Sequence, residues 1–194
     1  CTEHYNGSAW SAGGVFMGGN NQGGNPNDNT SYITGGGIGI QNAAVAAAQG
    51  WSDNFAWHYD GVNWRVGASR INSYTRASQT GTENAALVWG GREAYACTEE
   101  YNGTSWVAGG ALISGRQLTG AAGLQNAALA VGGQGSPGFV QTTDTEEYDG
   151  STWAAGGALT IAVRYGNGGG GVQNSAVNFG DDSAISQHYN GTSW

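Results

Sequence analysis

A chain of 194 residues with 11 % aromatics and 10 % charged residues is long enough for one sizeable domain and aromatic enough to fill its core. Its net charge of −8 and its 6 scattered Lys and Arg exclude the basic footprint of a nucleic-acid binder. Abundant Trp and Tyr exclude a disordered linker, and no apolar run approaches the length of a membrane span.

The chain opens on Cys1, with no charged-then-apolar leader, and so reads as a piece of a longer or processed product. Its first element is Tyr5-Asn6-Gly7-Ser8-Ala9-Trp10. Near copies stand at Tyr59 to Trp64, Tyr101 to Trp106, Tyr148 to Trp153 and Tyr189 to Trp194. Asn-Gly or Asp-Gly between apolar strand residues signals a hairpin, and a type I′ turn takes Asn, Asp and Gly at positive φ. Each copy is therefore expected to be a tight hairpin with Tyr on one strand and Trp on its partner. The repeat Tyr and Trp residues are expected to form the core between repeats.

The repeat Trp residues are 54, 42, 47 and 41 positions apart, a period in the range of propeller blades and of some helical repeats. Short, Gly-broken segments rich in Thr, Val, Tyr and Trp favour strands over helices. A second landmark lies in each period: Gln41-Asn42, Glu83-Asn84, Gln125-Asn126 and Gln173-Asn174, each followed by two small residues. It reads as a second turn. In the clearest repeat, Thr119 to Leu124 is strand one and Ala127 to Val131 is strand two, closed by Gly132-Gly133. Gln134 to Thr143 is a loop, Thr145 to Tyr148 is strand three and Thr152 to Ala154 is strand four. The Ala-rich stretch after Asn42 is assigned to strand by analogy. The expected organisation is one repeat domain, 1–194, with a leading hairpin 1–10 and blades over about 11–64, 65–106, 107–153 and 154–194. Each blade has four antiparallel strands.

A double Gly closing strand two, then a Tyr and a Trp, with an Arg before strand one, resembles the kelch repeat. Gly90-Gly91 with Tyr101 and Trp106 carries the resemblance, as do Gly132-Gly133 with Tyr148 and Trp153, and Arg116 and Arg164. Gln49-Gly50 and Phe179-Gly180 depart from the double Gly, and Tyr32 and Tyr74 fill the Arg position. The resemblance implies an all-β kelch-like propeller or propeller segment. The wording Thr-Glu-Glu-Tyr-Asn-Gly-Thr-Ser-Trp also resembles kelch-like arrays of marine bacteriophage structural proteins of the tail or fibre type. That second likeness implies a virion or other extracellular setting.

Loops carry function on such scaffolds. Repeat one has about twelve extra residues in Gly18 to Asn29, and repeat three about five extra in Gln134 to Thr143. The variable loops are expected on one face and the constant turns on the other. The length differences suit either a binding face or drift in unconstrained loops. Trp51 and Phe139, off the repeat pattern, with Asn20, Asn25, Asp28, Asn29 and Asp53, are the candidate ligand residues. Apolar rings stack on sugar faces while amides and carboxylates bond hydroxyls.

Catalytic and metal chemistry find little footing. His4, His58 and His188 occupy one slot, the residue before a repeat Tyr, which Glu100 and Glu147 fill elsewhere; one slot on successive strands spreads its residues apart, against the convergence zinc requires. The slot reads as a solvent-facing or blade-packing polar position. Glu99-Glu100 and Glu146-Glu147 are neighbours on strands and point to opposite faces. Cys1 and Cys97 share another slot, too far apart for a disulfide, and read as small buried apolar residues. No cofactor, metal or catalytic residue is expected. The expectation is a non-enzymatic structural or adhesive module that recognises a surface glycan or protein. The alternative is an assembly scaffold that joins itself or other structural subunits and has no ligand of its own.

Overall fold

The computed structural model describes residues 2–14, 37–47, 54–73, 75–93, 95–163, 168–180 and 185–194. All their regular structure is β. A hairpin, β1 (Glu3–Tyr5) and β2 (Trp10–Ala12), leads. A four-stranded antiparallel sheet follows: β3 (Ile38–Ile40), β4 (Ala43–Ala46), β5 (Phe55–Tyr59) and β6 (Trp64–Ser69). The next comprises β7 (Ser78–Thr82), β8 (Ala85–Trp89), β9 (Thr98–Tyr101) and β10 (Trp106–Ala108). After β11 (Arg116–Gln117) come β12 (Gly120–Leu124) and β13 (Ala127–Val131), then the short β14 (Gln134–Gly135) and β15 (Val140–Gln141). The third four-stranded sheet joins β12 and β13 to β16 (Thr145–Tyr148) and β17 (Trp153–Ala155). The last sheet has three strands, β18 (Gly168–Val172), β19 (Ser175–Phe179) and β20 (Ser186–Tyr189).

The expected strands of the third repeat stand within a residue of those observed, and the Ala-rich segment after Asn42 is indeed a strand. Strand four begins at the repeat Trp, so each four-stranded sheet runs past it. Gln134 to Thr143, expected as a loop, contains the β14–β15 hairpin, which pairs with β11 in a small sheet of its own.

The hairpin turns differ from expectation in kind. Tyr101 pairs directly with Trp106, as expected, but four residues lie between them. Asn102 keeps an ordinary φ and only Gly103 is left-handed, at +91°. The Asn102 Oδ1 accepts the amides of Thr104 and Ser105 at 3.0 and 2.9 Å. The side chain thus closes the loop, as Asn and Asp do when they bond their own backbone two residues on. Asp60 and Asp149 do the same, and the amides they accept hold both carboxyls below the usual range.

Why the strands are so apolar follows from how the sheets pack. The first strands of successive sheets stand side by side, β3 against β7, β7 against β12 and β12 against β18. A strand between two sheets buries both faces and reads as a continuous apolar run. In β8, Ala86 and Val88 enter the cluster shared with Val45 and Ala47, while Leu87 and Trp89 enter the one shared with Ala128 and Ala130. A third cluster joins Leu129 and Val131 to Ala176 and Tyr189. Glycine is required where strand one turns at the second landmark. Gly123 has φ +91°, and a Cβ there would stand 2.0 Å from the Ala127 carbonyl oxygen.

Polar ties repeat between successive sheets. The Trp153 indole donates to Thr98 Oγ1 at 2.9 Å, Trp194 to Thr145 at 2.9 Å, and Trp64 to Thr2 at 2.8 Å. The Tyr148 hydroxyl donates to Glu100, and Tyr189 to Glu147 at 2.6 Å; His4 and Tyr59 bond in the same place. Gln125 Nε2 donates to the carbonyls of Ala86 and Tyr101, and Gln173 to those of Ala128 and Tyr148. The histidine slot is therefore a packing position between sheets.

Two sequence expectations fail here. Tyr5 and Trp10 are not core: they are 47 % and 67 % exposed, and neither joins a core cluster among the described residues. Cys97 is exposed, not buried, since it precedes β9 outside the packed strands; Cys1 lies outside the described residues.

Candidate binding face

The constant turns gather at one end of each sheet. Gly103 lies beside Asn84, Gly150 beside Asn126 and Gly191 beside Asn174, so the two tight turns of a sheet share an edge. The other end carries the longer connections. In the third repeat these form a cleft of about 410 Å³ between segment 114–116 and the β14–β15 hairpin.

Arg116 builds the cleft's base. Its side chain is fully buried, and one guanidinium nitrogen donates to the Gly132 and Asp144 carbonyls at 3.0 and 2.7 Å. The other meets Glu146 Oε1 at 3.0 Å. Burial draws the Arg116 pKa down, and the neighbouring carboxylates of Glu146 and Asp144 oppose it. Glu146 also accepts the amides of Ile113 and Ser114 at 2.7 and 3.2 Å. The pair thus fixes the segment that enters this sheet against its third strand. The Arg position noticed in the sequence has a structural role here; Arg164 lies outside the described residues.

Around this base the cleft is lined by the polar residues Ser114, Ser136, Gln141, Thr142 and Asp144, and by Val140. Phe139 is on the same hairpin, at its tip, and is 47 % exposed; Val140 is 67 % exposed. Phe139 adopts φ +53° and follows Gly138 at +84°, so the tip turns through two left-handed residues. Such a backbone is uncommon for a bulky side chain. Phe139 stands beside the cleft and does not line it. Of the other expected ligand residues, Asn20, Asn25, Asp28, Asn29, Trp51 and Asp53 lie outside the described residues.

The cleft's polar residues were missed individually. The extra length of Gln134 to Thr143 pointed to the segment, but nothing in sequence tied Ser114, from the preceding connection, to it. Trp89, at the end of β8, is core: its indole donates to Thr119 Oγ1 at 3.0 Å and its ring meets that of Trp153 at 5.3 Å. Among the described residues no three His, Cys, Asp or Glu side chains converge on a point that could hold a metal ion.

No protein-family model matches the chain, and no curated protein matches it.

Proposed function

We propose that the chain is a non-enzymatic binding module, built as a kelch-like propeller or a segment of one, that recognises a surface carbohydrate through its long-loop face. Four-stranded antiparallel sheets packed in succession support the kelch-like reading, as do the double glycines after β8 and β13 and the buried Arg116. A virion or other extracellular structure is the setting proposed for it.

The observation that carries the binding function is the cleft beside the β14–β15 hairpin. Two serines, a threonine, a glutamine and an aspartate line a space of about 410 Å³, and the exposed Phe139 belongs to the hairpin that forms one of its walls. A pyranose suits this combination, since its apolar face stacks on a ring while its hydroxyls pair with amides and carboxylates. The test is binding of the chain to a panel of cell-surface polysaccharides and to whole bacterial cells. Variants Phe139→Ala, Gln141→Ala, Trp51→Ala and a deletion of 18–29 map the face. Saturable binding that weakens at least tenfold in Phe139→Ala or Gln141→Ala supports the reading. Binding that all four variants retain at full strength rejects this face.

A further inference from the structure

Two hollows meet on the long-loop face of the third repeat. The first is the cleft of about 410 Å³ beside the β14–β15 hairpin. The second, of about 240 Å³, is lined by Ile113, by Thr145 and Glu146 of β16, and by Ala155 and Ala158 at and after the end of β17. Ser114 and Asp144 line both, so the two hollows adjoin. Each has one large exposed apolar residue of its own, Val140 in the first and Ile113, 61 % exposed, in the second. Pockets for small molecules usually measure about 300–1,000 Å³. The smaller hollow is thus a poor site alone and a natural extension of the larger.

The shared residues are held from beneath. The Asp144 carbonyl accepts the Gly132 amide at 2.8 Å and the Arg116 guanidinium at 2.7 Å, and the Asp144 amide donates to Thr142 Oγ1 at 3.1 Å. The Ser114 amide donates to Glu146 Oε1 at 3.2 Å, and the same oxygen accepts from Arg116. The buried Arg116–Glu146 pair therefore fixes the backbone of two residues that are themselves exposed. A ligand that bridges the hollows meets a ridge set before it arrives, which lowers the cost of ordering it.

The charge of the site is one-sided. Arg116 is the one cation among the residues lining either hollow, and it is fully buried and matched by Glu146. That leaves the exposed Asp144 to set the sign of the ridge. A carboxylate accepts hydroxyls in strong, charge-assisted bonds and repels a second anion.

We propose that the two hollows are adjoining subsites for one uncharged glycan chain, each taking one sugar unit, with Asp144 accepting hydroxyls where the units join. The proposal rests on carbohydrate recognition by the long-loop face. It adds a minimum length of two units and a preference for neutral over acidic sugars.

The test is calorimetry with gluco-, manno- and galacto-oligosaccharides of one to six units, with oligogalacturonates of the same lengths, and with fragments of any panel polysaccharide that binds. A neutral series is expected to tighten at least tenfold from one unit to two. It is also expected to bind at least tenfold more tightly than the acidic fragment of equal length. Ala158→Trp fills the smaller hollow from an exposed position and is expected to abolish the gain with length; unchanged circular dichroism verifies its fold. Asp144→Asn is expected to bring the neutral and acidic series together. A single unit that binds as tightly as its longer homologues overturns the proposal and leaves the cleft as a one-unit site. So do acidic fragments that bind as tightly as neutral ones, or a gain with length that Ala158→Trp retains. No saturable binding by any probe is a different result: it rejects carbohydrate recognition itself, and the proposal with it.

Discussion

Trp106 stands to Ala56 as Trp153 stands to Thr98, and Ala56 lacks the hydroxyl and the extra methyl that Thr98 carries. The Trp106 indole is buried and its Nε1 has no hydrogen-bond partner among the described residues, because Ala56 occupies the place of the accepting threonine. The same junction departs twice more from the pattern. The Tyr101 ring faces His58 at 5.4 Å in place of a carboxylate bond, and Glu83 replaces the glutamine that donates to two carbonyls elsewhere. The junction of the first two four-stranded sheets is therefore the one with fewest of the repeated ties.

Restoring the hydroxyl should strengthen it. Ala56→Thr is expected to stabilise the chain by about 1 kcal/mol, the net worth of a buried hydrogen bond. That corresponds to a rise of roughly 2–4 °C in melting temperature for a chain of this size. The reverse change, Thr98→Ala, orphans the Trp153 indole and is expected to cost about 1–3 kcal/mol. Calorimetry on the two variants checks both signs.

The tyrosine ties should fail in alkali. Burial first, and the bond to Glu100 second, push the Tyr148 hydroxyl up to about 12 from its ordinary value of 10.0. Burial and Glu147 raise Tyr189 in the same direction. The folded chain thus keeps these protons when the unfolded chain has lost them. The contribution of Tyr148 is complete below about pH 10 and disappears as pH rises towards 12, and that of Tyr189 is lost in the same direction. Tyr148→Phe is expected to be less stable at pH 9 but to decline less steeply above pH 10, as read from urea midpoints.

His58 acts in the opposite direction. Burial chiefly, then Arg65, lower its pKa below 6.5, while Glu83, 3.7 Å from Nδ1, opposes them. As pH falls through 6.5 the unfolded chain takes up a proton sooner than the folded one does. The stability that His58 gives is present above that pH and is lost below it. His58→Asn is expected to flatten the pH dependence of the urea midpoint between pH 6.5 and the onset of carboxylate protonation.

Arg116 and Glu146 form a buried pair at 3.0 Å, so removing either partner leaves an uncompensated charge. Arg116→Met is expected to cost about 3–5 kcal/mol. Glu146→Gln is also expected to destabilise, because its one amide oxygen can replace only one of the two carboxylate oxygens that accept from Ile113 and Ser114, and its NH2 group faces the other N–H. Denaturant unfolding of the two variants gives the comparison.

Much of the framework could be read from residue order. The strands, the pairing of Tyr with Trp and the two turns per unit follow from local turn chemistry and from alternation. What escaped were facts set by neighbours distant in sequence. The turn type escaped because the Asn side chain, not a left-handed Asn backbone, closes the hairpin. The exposure of Tyr5 and Trp10 escaped because their residue pattern matches that of the buried copies. The cleft escaped in detail because Ser114 and Gln141 line it together only through the pairing of β11 with β14, which two-residue strands do not announce. Cys97 was misassigned because its slot repeats in sequence without being packed in space.

The most direct measurement is a nuclear magnetic resonance titration of the isotopically labelled chain with a polysaccharide fragment selected from the binding panel. Carbohydrate recognition by the long-loop face predicts saturable shifts centred on the amides of Ser114, Gly115, Gly135, Ser136 and Gly138 to Asp144. Shifts centred on the tight turns around Asn102 and Asp149, or no saturable shifts with any fragment, would contradict it.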